Sequence, residues 1–369
     1  QSTPVVNIGI LGAGQLAQML ALAGYPLGLR CTFLAPEADP CAAPLGQHLR
    51  AGYEDEAALA SFAERIDVAT TEFEHIAPVA LDALEQRGLL APCSEAILLS
   101  QERLQEKSLF TRLGLPTARY AAIDSETDLE QALAVAGVPA ILKTRRMGYD
   151  GKGQASVAAA SELLPAWEAL GRVPCILEAR VAFDRELSVI AVRGRDGECR
   201  IWPLSENSHA EGILRVSHSL VDDPMEGPAR DYCERLLKAL DYVGVLALEL
   251  FQCGDQLLVN EYAPRVHNSG HWTIEGAVTS QFENHLRAIA GLPLGSTAAV
   301  APSVMVNVIG EWPAARELLA VDGAHLHDYG KSPAPGRKLG HITLVNRDTE
   351  ALQQRTAELT RLVAGATGA

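Results

Sequence analysis

The stretch VLALELFQCGDQLLVNE, residues 245–261, decides the fold, because it places two apolar strands on either side of a short polar turn. Glu249 is the one carboxylate inside the first strand, and Glu261 ends the second. If Cys253 pairs with Leu257 around a three-residue loop, Glu249 lies opposite Glu261 and their side chains share one face. Two carboxylates so close repel each other unless a cation such as phosphate-bound Mg²⁺ lies between them. The alternative, an isolated glutamate on a solvated face, fits poorly in so apolar a strand.

The residues directly after this hairpin are polar and rich in hydrogen-bonding groups. Arg265 can hold a carboxylate or a phosphate through two parallel hydrogen bonds. His267 can carry or donate a proton. We therefore predict catalytic roles for Arg265 and His267, with a purely structural histidine as the alternative. For His271, the functional and the structural interpretations are about equally supported.

A second functional segment is the loop of residues 145–154, which follows a predicted strand at residues 139–144. The loop contains three glycines and three cations. It lacks the GxxxxGK[ST] order of a Walker P-loop, but flexible glycine backbone can close over phosphates and donate N–H groups to them. Lys143, at the end of the strand, can stabilise phosphate charge. The alternative is a plain hairpin with surface lysines.

Near the N-terminus, the segment GAGQLA at residues 12–17 follows an apolar run and satisfies the relaxed dinucleotide fingerprint GxGxxG/A. In a dinucleotide-binding protein, an acidic residue at the end of the second strand would hold the ribose. Here Leu34, Ala35 and Pro36 stand at that point, and Glu37 only follows them. The pattern favours a phosphate-facing loop over nicotinamide binding and over a purely structural turn.

A basic cluster lies in the last fifth of the chain, at Lys331, Arg337 and Lys338. In a chain with a formal net charge of -15, such a cluster indicates a site for a monoester phosphate. A solvated basic turn is the alternative.

The order of the predicted elements indicates more than one domain. Strands and helices alternate over the first hundred residues, which predicts a doubly wound parallel sheet. A small mixed unit with a capping box at Ser125 and Asp128 follows. The predicted strands are residues 5–11, 31–34, 67–71, 88–91, 139–144, 175–181, 186–192, 245–252, 256–261 and 303–309. The predicted helices are residues 15–23, 78–86, 101–113, 126–136, 161–170 and 226–240.

Composition narrows the functional classes. The 369 residues are 48% hydrophobic and 21% charged, as in ordinary globular proteins. The negative net charge argues against nonspecific nucleic-acid binding, and no apolar run is long enough to span a bilayer. The first residues lack the pattern of a signal peptide. Seven scattered cysteines without a CxxC motif fit reduced thiols, so we expect a cytoplasmic protein without membrane or nucleic-acid partners.

Taken in order, these segments resemble the ATP-grasp superfamily, and within it the N5-carboxyaminoimidazole ribonucleotide synthetase family. The resemblance covers nearly the whole chain, although Ala13 and Ala17 stand where family members often carry glycine. It implies a Rossmann-like α/β domain at residues 1–100, an α+β ATP-grasp domain at residues 101–295 with a lid at about 118–181, and a small β-rich domain at residues 296–369. The segments that carry the resemblance are residues 10–16, 72–74, 148–154, 260–271 and 335–341.

The family resemblance implies the site residues as well. Magnesium ligands would be Glu249 and Glu261, and catalytic residues would be Arg265, His267 and Lys143. The ATP-binding residues would be Arg103, Lys143, Gly148, Tyr149, Asp150, Gly151, Lys152, Gly153, Gln154, Glu178, Ala179, Arg180, Val181, Glu186, His209, Asn260 and Glu261. The residues that bind the substrate nucleotide would be Gln15, Leu16, Glu72, Glu74, Tyr149, Asn268, Lys331, Arg337 and Lys338.

The resemblance also implies the reaction: ATP and bicarbonate form carboxyphosphate, which carboxylates the exocyclic amine of 5-aminoimidazole ribonucleotide. It implies Mg²⁺, with Mn²⁺ as a substitute, no organic cofactor, and a homodimer. A related alternative is the formate-dependent ATP-grasp transformylase that acts on glycinamide ribonucleotide. Alternatives from other classes are an NAD-dependent dehydrogenase, which rests on residues 12–17 alone, and a noncatalytic nucleotide-binding protein.

Overall fold

The computed structural model describes residues 4–367 of the chain. The N-terminal unit is a parallel sheet in the order β3-β2-β1-β4 with helices against it, as the alternating pattern predicts. The predicted strand at residues 88–91 is reduced to one parallel bridge between Leu90 and Ala69. The strands are β1 (Asn7–Leu11), β2 (Arg30–Ala35), β3 (Gln47–Arg50) and β4 (Val68–Thr71), and the helices are α1 (Gln15–Gly24), α2 (Glu56–Glu64), α3 (Pro78–Gln86) and α4 (Ser94–Ser100).

Helix α5 (Arg103–Arg112) leads from this unit into a small antiparallel sheet, which we call the lid sheet, in the order β5-β8-β6-β7. The predicted capping box at Ser125 and Asp128 is present, and it begins a 3-10 turn that continues into a helix. Two helices cover one face of the lid sheet, with Trp167 in their shared core. The elements are β5 (Tyr120–Ile123), α6 (Leu129–Ala136), β6 (Ala140–Thr144), β7 (Gln154–Val157), α7 (Leu163–Ala169) and β8 (Cys175–Ala179).

The rest of the described chain forms one large antiparallel sheet in the order β14-β13-β9-β11-β12-β15-β17-β16, with β10 paired to β9. Its strands are β9 (Arg185–Arg193), β10 (Cys199–Ile201), β11 (Ser205–Ala210), β12 (Ile213–Ser219), β13 (Gly244–Cys253), β14 (Gln256–Ala263), β15 (Ser303–Ile309), β16 (Ala324–Asp328) and β17 (Lys338–Val345). Its helices are α8 (Glu226–Ala239), α9 (Thr273–Gly276), α10 (Gln281–Ile289), α11 (Ala315–Leu319) and α12 (Thr349–Thr367). The strands of the C-terminal residues therefore extend the central sheet through the pairing of β12 with β15.

The β13–β14 hairpin places Glu249 opposite Glu261 as predicted, but the predicted three-residue loop is wrong. Cys253 pairs with Gln256 across a two-residue turn, and on that register Glu249 would face Asn260. The register shifts by one residue beyond Leu250, which leaves Asn260 as an extra residue in β14. This β-bulge restores the pairing of the two glutamates. It also bends β14 beside the site and so changes the direction of its side chains.

Among the described helices, none combines the length and the apolar character needed to cross a membrane.

Candidate active site

All three parts of the fold border a cleft of about 720 Å³. Twenty residues predicted for the site line this cleft: Gln15, Leu16, Glu72, Glu74, Arg103, Lys143, Gly148, Tyr149, Asp150, Gly151, Gln154, Glu186, His209, Glu249, Asn260, Glu261, Arg265, His267, Asn268 and Lys338. Eight others lie outside its lining: Lys152, Gly153, Glu178, Ala179, Arg180, Val181, Lys331 and Arg337.

The carboxyl groups of Glu249 and Glu261 lie side by side in the cleft. Burial, and then the charge of Glu261, raise the pKa of Glu249 well above its ordinary value. Burial also opposes ionisation of Glu261, but the hydrogen bond with Glu249 and the charge of Arg103 outweigh it and hold the pKa of Glu261 low. In the absence of a cation, the pair therefore keeps one proton between two carboxyl groups.

Helix α5 supplies Glu106, which sequence reasoning missed, as well as the predicted Arg103. Arg103 Nη1 lies 3.1 Å from Glu261 Oε2, and one turn later Glu106 lines the cleft although only 3% of its surface is exposed. Burial, and then the charge of Glu261, raise the pKa of Glu106 to about 8. The spacing of Arg103, Glu106 and Lys107 places all three on one helix face, and that spacing is the signal that could have revealed Glu106.

Glu178 on β8 is buried between two lysines. Its Oε2 lies 2.5 Å from Lys143 Nζ, and its Oε1 lies 3.3 Å from Lys107 Nζ. Burial alone would raise the pKa of Glu178, but the charges of Lys107 and Lys143 outweigh it and lower the pKa to about 2. The carboxylate of Glu178 thus holds Lys143 at the edge of the cleft.

We expect Glu178→Gln to lower the free energy of unfolding by about 3 kcal/mol at pH 7, because two buried lysines lose their counter-charge. The folded pKa of about 2 lies below the unfolded value of about 4.3, so the stabilisation is complete above that unfolded value. It is lost as the pH falls toward 2. Urea unfolding of both proteins between pH 7 and pH 3 tests this, since the difference should shrink below about pH 4.3.

Glu168→Gln is the matched control, because Glu168 pairs with Arg172 on the surface with nearly half of its side chain exposed. Exposed pairs of this kind contribute about 0–1 kcal/mol. A difference between Glu178→Gln and the unmodified chain that does not change with pH would contradict the assignment of the buried ion pair.

Arg265 is held by Glu74 at the border of the cleft. Its Nε donates to Glu74 Oε1 at 2.9 Å, and its Nη2 lies 2.8 Å from the same oxygen. Nη1 donates to the backbone carbonyl of Val266 at 3.0 Å. These bonds fix the plane of the guanidinium group next to the carboxylate pair.

His267 is held in one neutral tautomer. Its Nδ1 accepts a hydrogen bond from the backbone N–H of Ser269 at 3.2 Å, so the ring proton is on Nε2, which lies 3.9 Å from Glu249 Oε1. Burial, followed by the charges of Arg265 and Lys338, lowers the pKa of His267 to about 3. At neutral pH, His267 therefore presents an Nε2–H donor to the cleft.

The loop that carries His267 is held from behind by Gln281, which sequence reasoning also missed. Gln281 is fully buried. Its Oε1 accepts from the backbone N–H of His267 at 3.0 Å, and its Nε2 donates to the carbonyl of the same residue at 2.7 Å. The Nε2 of Gln281 also lies 3.2 Å from Nδ1 of His271, which is buried against the ring of Phe282. Gln281 thus fixes the loop between the carboxylate pair and α10.

The glycine-rich loop closes over the cleft from the lid sheet. Gly151 lies against Gly212 of the β11–β12 turn so closely that a side chain on Gly212 would overlap the loop backbone. Asp150 Oδ1 lies 3.6 Å from Lys338 Nζ at the start of β17. The loop therefore contacts both the central and the C-terminal parts of the large sheet.

Two N–H groups of the loop at residues 12–17 are bound by a carboxylate of the protein itself. The Glu72 carboxylate accepts from the backbone N–H groups of Gly14 at 2.7 Å and Ala17 at 3.0 Å. A carboxylate from the protein thus occupies the helix N-terminus where a dinucleotide phosphate would bind. This geometry argues against the nicotinamide interpretation, whereas Gln15 and Leu16 of the same segment line the cleft and the phosphate-facing interpretation stays a prediction.

We expect Gly12→Ala to lower the free energy of unfolding by at least about 2 kcal/mol. Gly12 has a φ of 106°, and a Cβ there would overlap the side chain of Glu72. Gly52→Ala is the control, since nothing lies within 4 Å of its Cβ position and its φ is ordinary. Equal urea midpoints for the two variants would contradict this packing of Glu72.

The three residues of the predicted basic cluster differ in burial and in hydrogen-bond partners. Lys331 Nζ donates to Gln15 Oε1 at 3.0 Å and to the backbone carbonyl of Lys338 at 3.3 Å. Burial lowers the pKa of both lysines. Arg337 is exposed and donates to the carbonyl of Ser332. The structure therefore brings Lys331 and Lys338 together beside Gln15 of the N-terminal unit.

Glu186 and His209 form a further pair on adjacent strands, with 3.0 Å between Glu186 Oε2 and His209 Nδ1. Both residues line the cleft, and the contact with His209 fixes the orientation of the Glu186 carboxylate.

Comparisons with known proteins agree with this architecture. Family models match the chain as a ribonucleotide synthetase preATP-grasp domain at residues 5–101, an ATP-grasp domain at residues 108–282 and a phosphoribosylaminoimidazole carboxylase C-terminal domain at residues 303–355. The N5-carboxyaminoimidazole ribonucleotide synthase of Pseudomonas aeruginosa is 50% identical over 358 residues, which are 97% of this chain and 99% of that protein.

Two solved structures show the same fold. The N5-carboxyaminoimidazole ribonucleotide synthetase of Thermus thermophilus is 53% identical with a TM-score of 0.93, over 96% of this chain and 98% of that one. The synthase of Aspergillus clavatus, solved with ADP and 5-aminoimidazole ribonucleotide, is 30% identical with a TM-score of 0.90, over 98% and 99% of the two chains.

The fold and the cleft therefore define an ATP-grasp enzyme, an ATP-dependent ligase that forms a C–N bond. Within that class, the chain belongs to the N5-carboxyaminoimidazole ribonucleotide synthase family. The predicted family and fold class are confirmed, and the family assignment decides against the formate-dependent, NAD-dependent and noncatalytic alternatives.

Proposed function

We propose that this chain uses ATP and bicarbonate to carboxylate the exocyclic amine of 5-aminoimidazole ribonucleotide, through carboxyphosphate. The observation that carries the proposal is the facing pair Glu249 and Glu261, with Arg265, His267 and Lys143 on the lining of the same cleft. The Aspergillus clavatus relative, solved with ADP and 5-aminoimidazole ribonucleotide, supports the choice of nucleotide substrates.

The carboxylate pair fits a magnesium ion. Mg²⁺ is usually bound through one or two carboxylates, and phosphates and water complete its shell. Glu249 and Glu261 supply two carboxyl groups. They share one proton when no cation lies between them, and a bound Mg²⁺ would take the place of that proton. Across residues 4–367, no group of three or more His, Cys, Asp and Glu side chains could hold a metal ion, so phosphates and water would have to provide the other ligands. When bound there, Mg²⁺ or its substitute Mn²⁺ would neutralise charge on the ATP phosphates.

In the first step, a bicarbonate oxygen attacks the γ-phosphorus of ATP. The new P–O bond gives carboxyphosphate, and the broken bond releases ADP. Lys143, held by Glu178, and Arg103, held by Glu261, stabilise the negative charge that spreads over the transferred phosphoryl group. The loop at residues 148–154 contacts the opposite wall and excludes water from an intermediate that hydrolyses readily.

In the second step, the substrate amine attacks the carboxyl carbon, the bond from that carbon to the phosphate oxygen breaks, and one proton of the amine passes to the released phosphate. The products are the carbamate and inorganic phosphate. The guanidinium of Arg265 holds the carboxyl and phosphate oxygens, and the Nε2–H of His267 donates a hydrogen bond to the charge that develops on them.

The remaining assignments rest on the family resemblance. Lys331, Arg337 and Lys338 bind the substrate phosphate, Glu72, Glu74 and Tyr149 meet the imidazole nucleotide, Asn268 also binds the substrate, and Glu186 binds the ATP ribose. The segment from Glu178 to Val181 faces adenine. No organic cofactor takes part, and the chain works as a cytoplasmic homodimer.

The test is an isotope experiment with ¹⁸O-labelled bicarbonate, ATP, Mg²⁺ and 5-aminoimidazole ribonucleotide, analysed by mass spectrometry. We expect phosphate release that depends on both bicarbonate and the ribonucleotide, with one bicarbonate oxygen in each phosphate. Formate in place of bicarbonate should give no stimulation. Phosphate without label would refute the carboxyphosphate route, and no stimulation by the ribonucleotide would refute the substrate.

A further inference from the structure

Strand β14 lies at the edge of the large sheet, so its outer backbone groups have no neighbouring strand. Unsatisfied backbone groups at the β-bulge would leave the strand free to shift, and with it Glu261. Val259, before the bulge, donates its N–H to the carbonyl of Pro116 at 2.7 Å. At the bulge itself, the partners are side chains of α5.

Two consecutive residues of α5 bind the backbone on either side of Glu261. Lys107 Nζ donates to the carbonyl of Asn260 at 2.6 Å, and the N–H of Tyr262 donates to Glu106 Oε2 at 3.2 Å. Glu106 and Lys107 are 3% and 2% exposed. Arg103, on the same helix face, contacts the Glu261 carboxylate itself. One turn of α5 therefore holds the side chain of Glu261 and the peptide groups next to it.

Lys107 also reaches the lid sheet. Its Nζ lies 3.3 Å from Glu178 Oε1, and the other oxygen of Glu178 holds Lys143. A single buried ammonium group thus contacts the strand that carries Glu261 and, through one carboxylate, the lysine assigned to the ATP phosphates. Glu261 and Lys143, which must both act at the γ-phosphate, are therefore connected through Lys107.

We propose that Lys107 is a positioning residue of this enzyme: it sets the place of Glu261 through the Asn260 carbonyl and the place of Lys143 through Glu178. The inference rests on the proposed function, because it takes Glu261 as the metal ligand and Lys143 as the phosphate ligand. Lys107 lies outside the lining of the cleft, so its effect passes through those two residues. Residues that orient metal ligands in this way typically change metal affinity by about 10–100-fold when they are replaced.

The test is Lys107→Met, which keeps the length of the side chain and removes its charge and its hydrogen bonds. Binding of Mn²⁺ in the presence of ADP is followed by electron paramagnetic resonance on folded protein, beside the apparent KM for ATP. We expect about tenfold weaker Mn²⁺ binding, a raised KM for ATP, and a smaller change in the KM for the ribonucleotide. A residue that served packing alone would lower the melting temperature and leave the Mn²⁺ affinity of the folded protein unchanged.

Lys238→Met is the matched control, since Lys238 is exposed near the end of α8. Should Lys107→Met fail to fold, Lys107→Gln carries the test of the second contact, because its amide can still donate to the Asn260 carbonyl but brings no charge to Glu178, so the KM for ATP should rise while the Mn²⁺ affinity changes less. Unchanged Mn²⁺ affinity in folded Lys107→Met, or an unchanged KM for ATP in folded Lys107→Gln, would overturn this inference alone. A wild-type protein that binds no Mn²⁺ with ADP would overturn the metal assignment and this inference together.

Discussion

Glu261→Gln should lower kcat for ribonucleotide-dependent phosphate release by about three orders of magnitude. The amide keeps the size of the side chain and can still accept from Arg103, but it supplies no charge to a divalent cation. The fold should remain, because the amide fills the same space beside Glu249 and Arg103. We expect a melting temperature somewhat below that of the wild type, because Arg103, whose charge helps to hold the pKa of Glu261 low, loses its counter-charge.

Steady-state kinetics and thermal unfolding on the same preparation check both parts of this expectation. Glu358→Gln is the matched control, because Glu358 is exposed on α12. Mn²⁺ binding in the presence of ADP should fall with the activity in Glu261→Gln. Full turnover in this variant would exclude Glu261 as a metal ligand.

Arg265→Lys should lower kcat by about 10²-fold or more while the KM for ATP changes little. A lysine keeps the positive charge, but it cannot bind Glu74 through two nitrogens and at the same time present a planar fork to the reacting carboxyl group. ATP binding relies on other residues, so carboxyphosphate should still form. Little of it should react with the substrate amine before it hydrolyses. The expected signature is ATP hydrolysis that is no longer matched by carbamate formation.

The ratio of carbamate to phosphate, measured with ¹⁴C-bicarbonate, separates this outcome from a general loss of activity. Arg316→Lys is the control, since Arg316 is exposed on α11. A ratio near one with unchanged kcat would show that Arg265 does not hold the intermediate.

Local sequence patterns predicted about half of the helices and strands. Apolar runs and turn residues located β1, α3 and β15 closely. They failed for β3, which is short, polar and partly exposed, and whose partner β2 is separated from it by a long loop. The pairing of Glu249 with Glu261 was predicted from a regular hairpin, yet it depends on the bulge at Asn260, which side-chain alternation alone does not reveal.

Several contacts of the site were not predicted, because they join residues far apart in the chain. Glu72 was predicted to bind the substrate, and the sequence did not indicate that its carboxylate also accepts from the N–H groups of Gly14 and Ala17. Lys107 and Gln281 bind backbone carbonyl groups near the site. Hydrogen bonds to the backbone carry no sequence signature at the partner residue, so only the three-dimensional arrangement shows them.

The continuous large sheet sets the distance between two parts of the proposed active site. Ladder hydrogen bonds run without interruption from β13, which carries Glu249, through β12 and β15 to β17, which begins at Lys338. The anchor proposed for the ribonucleotide phosphate and the acids proposed for the metal thus belong to one sheet, and the distance between them limits the length of the acceptor that can reach both. The lid sheet and the N-terminal sheet are separate from that ladder, and the loop that covers the cleft belongs to the lid sheet, so we expect both nucleotides to enter and leave on the side of the lid sheet.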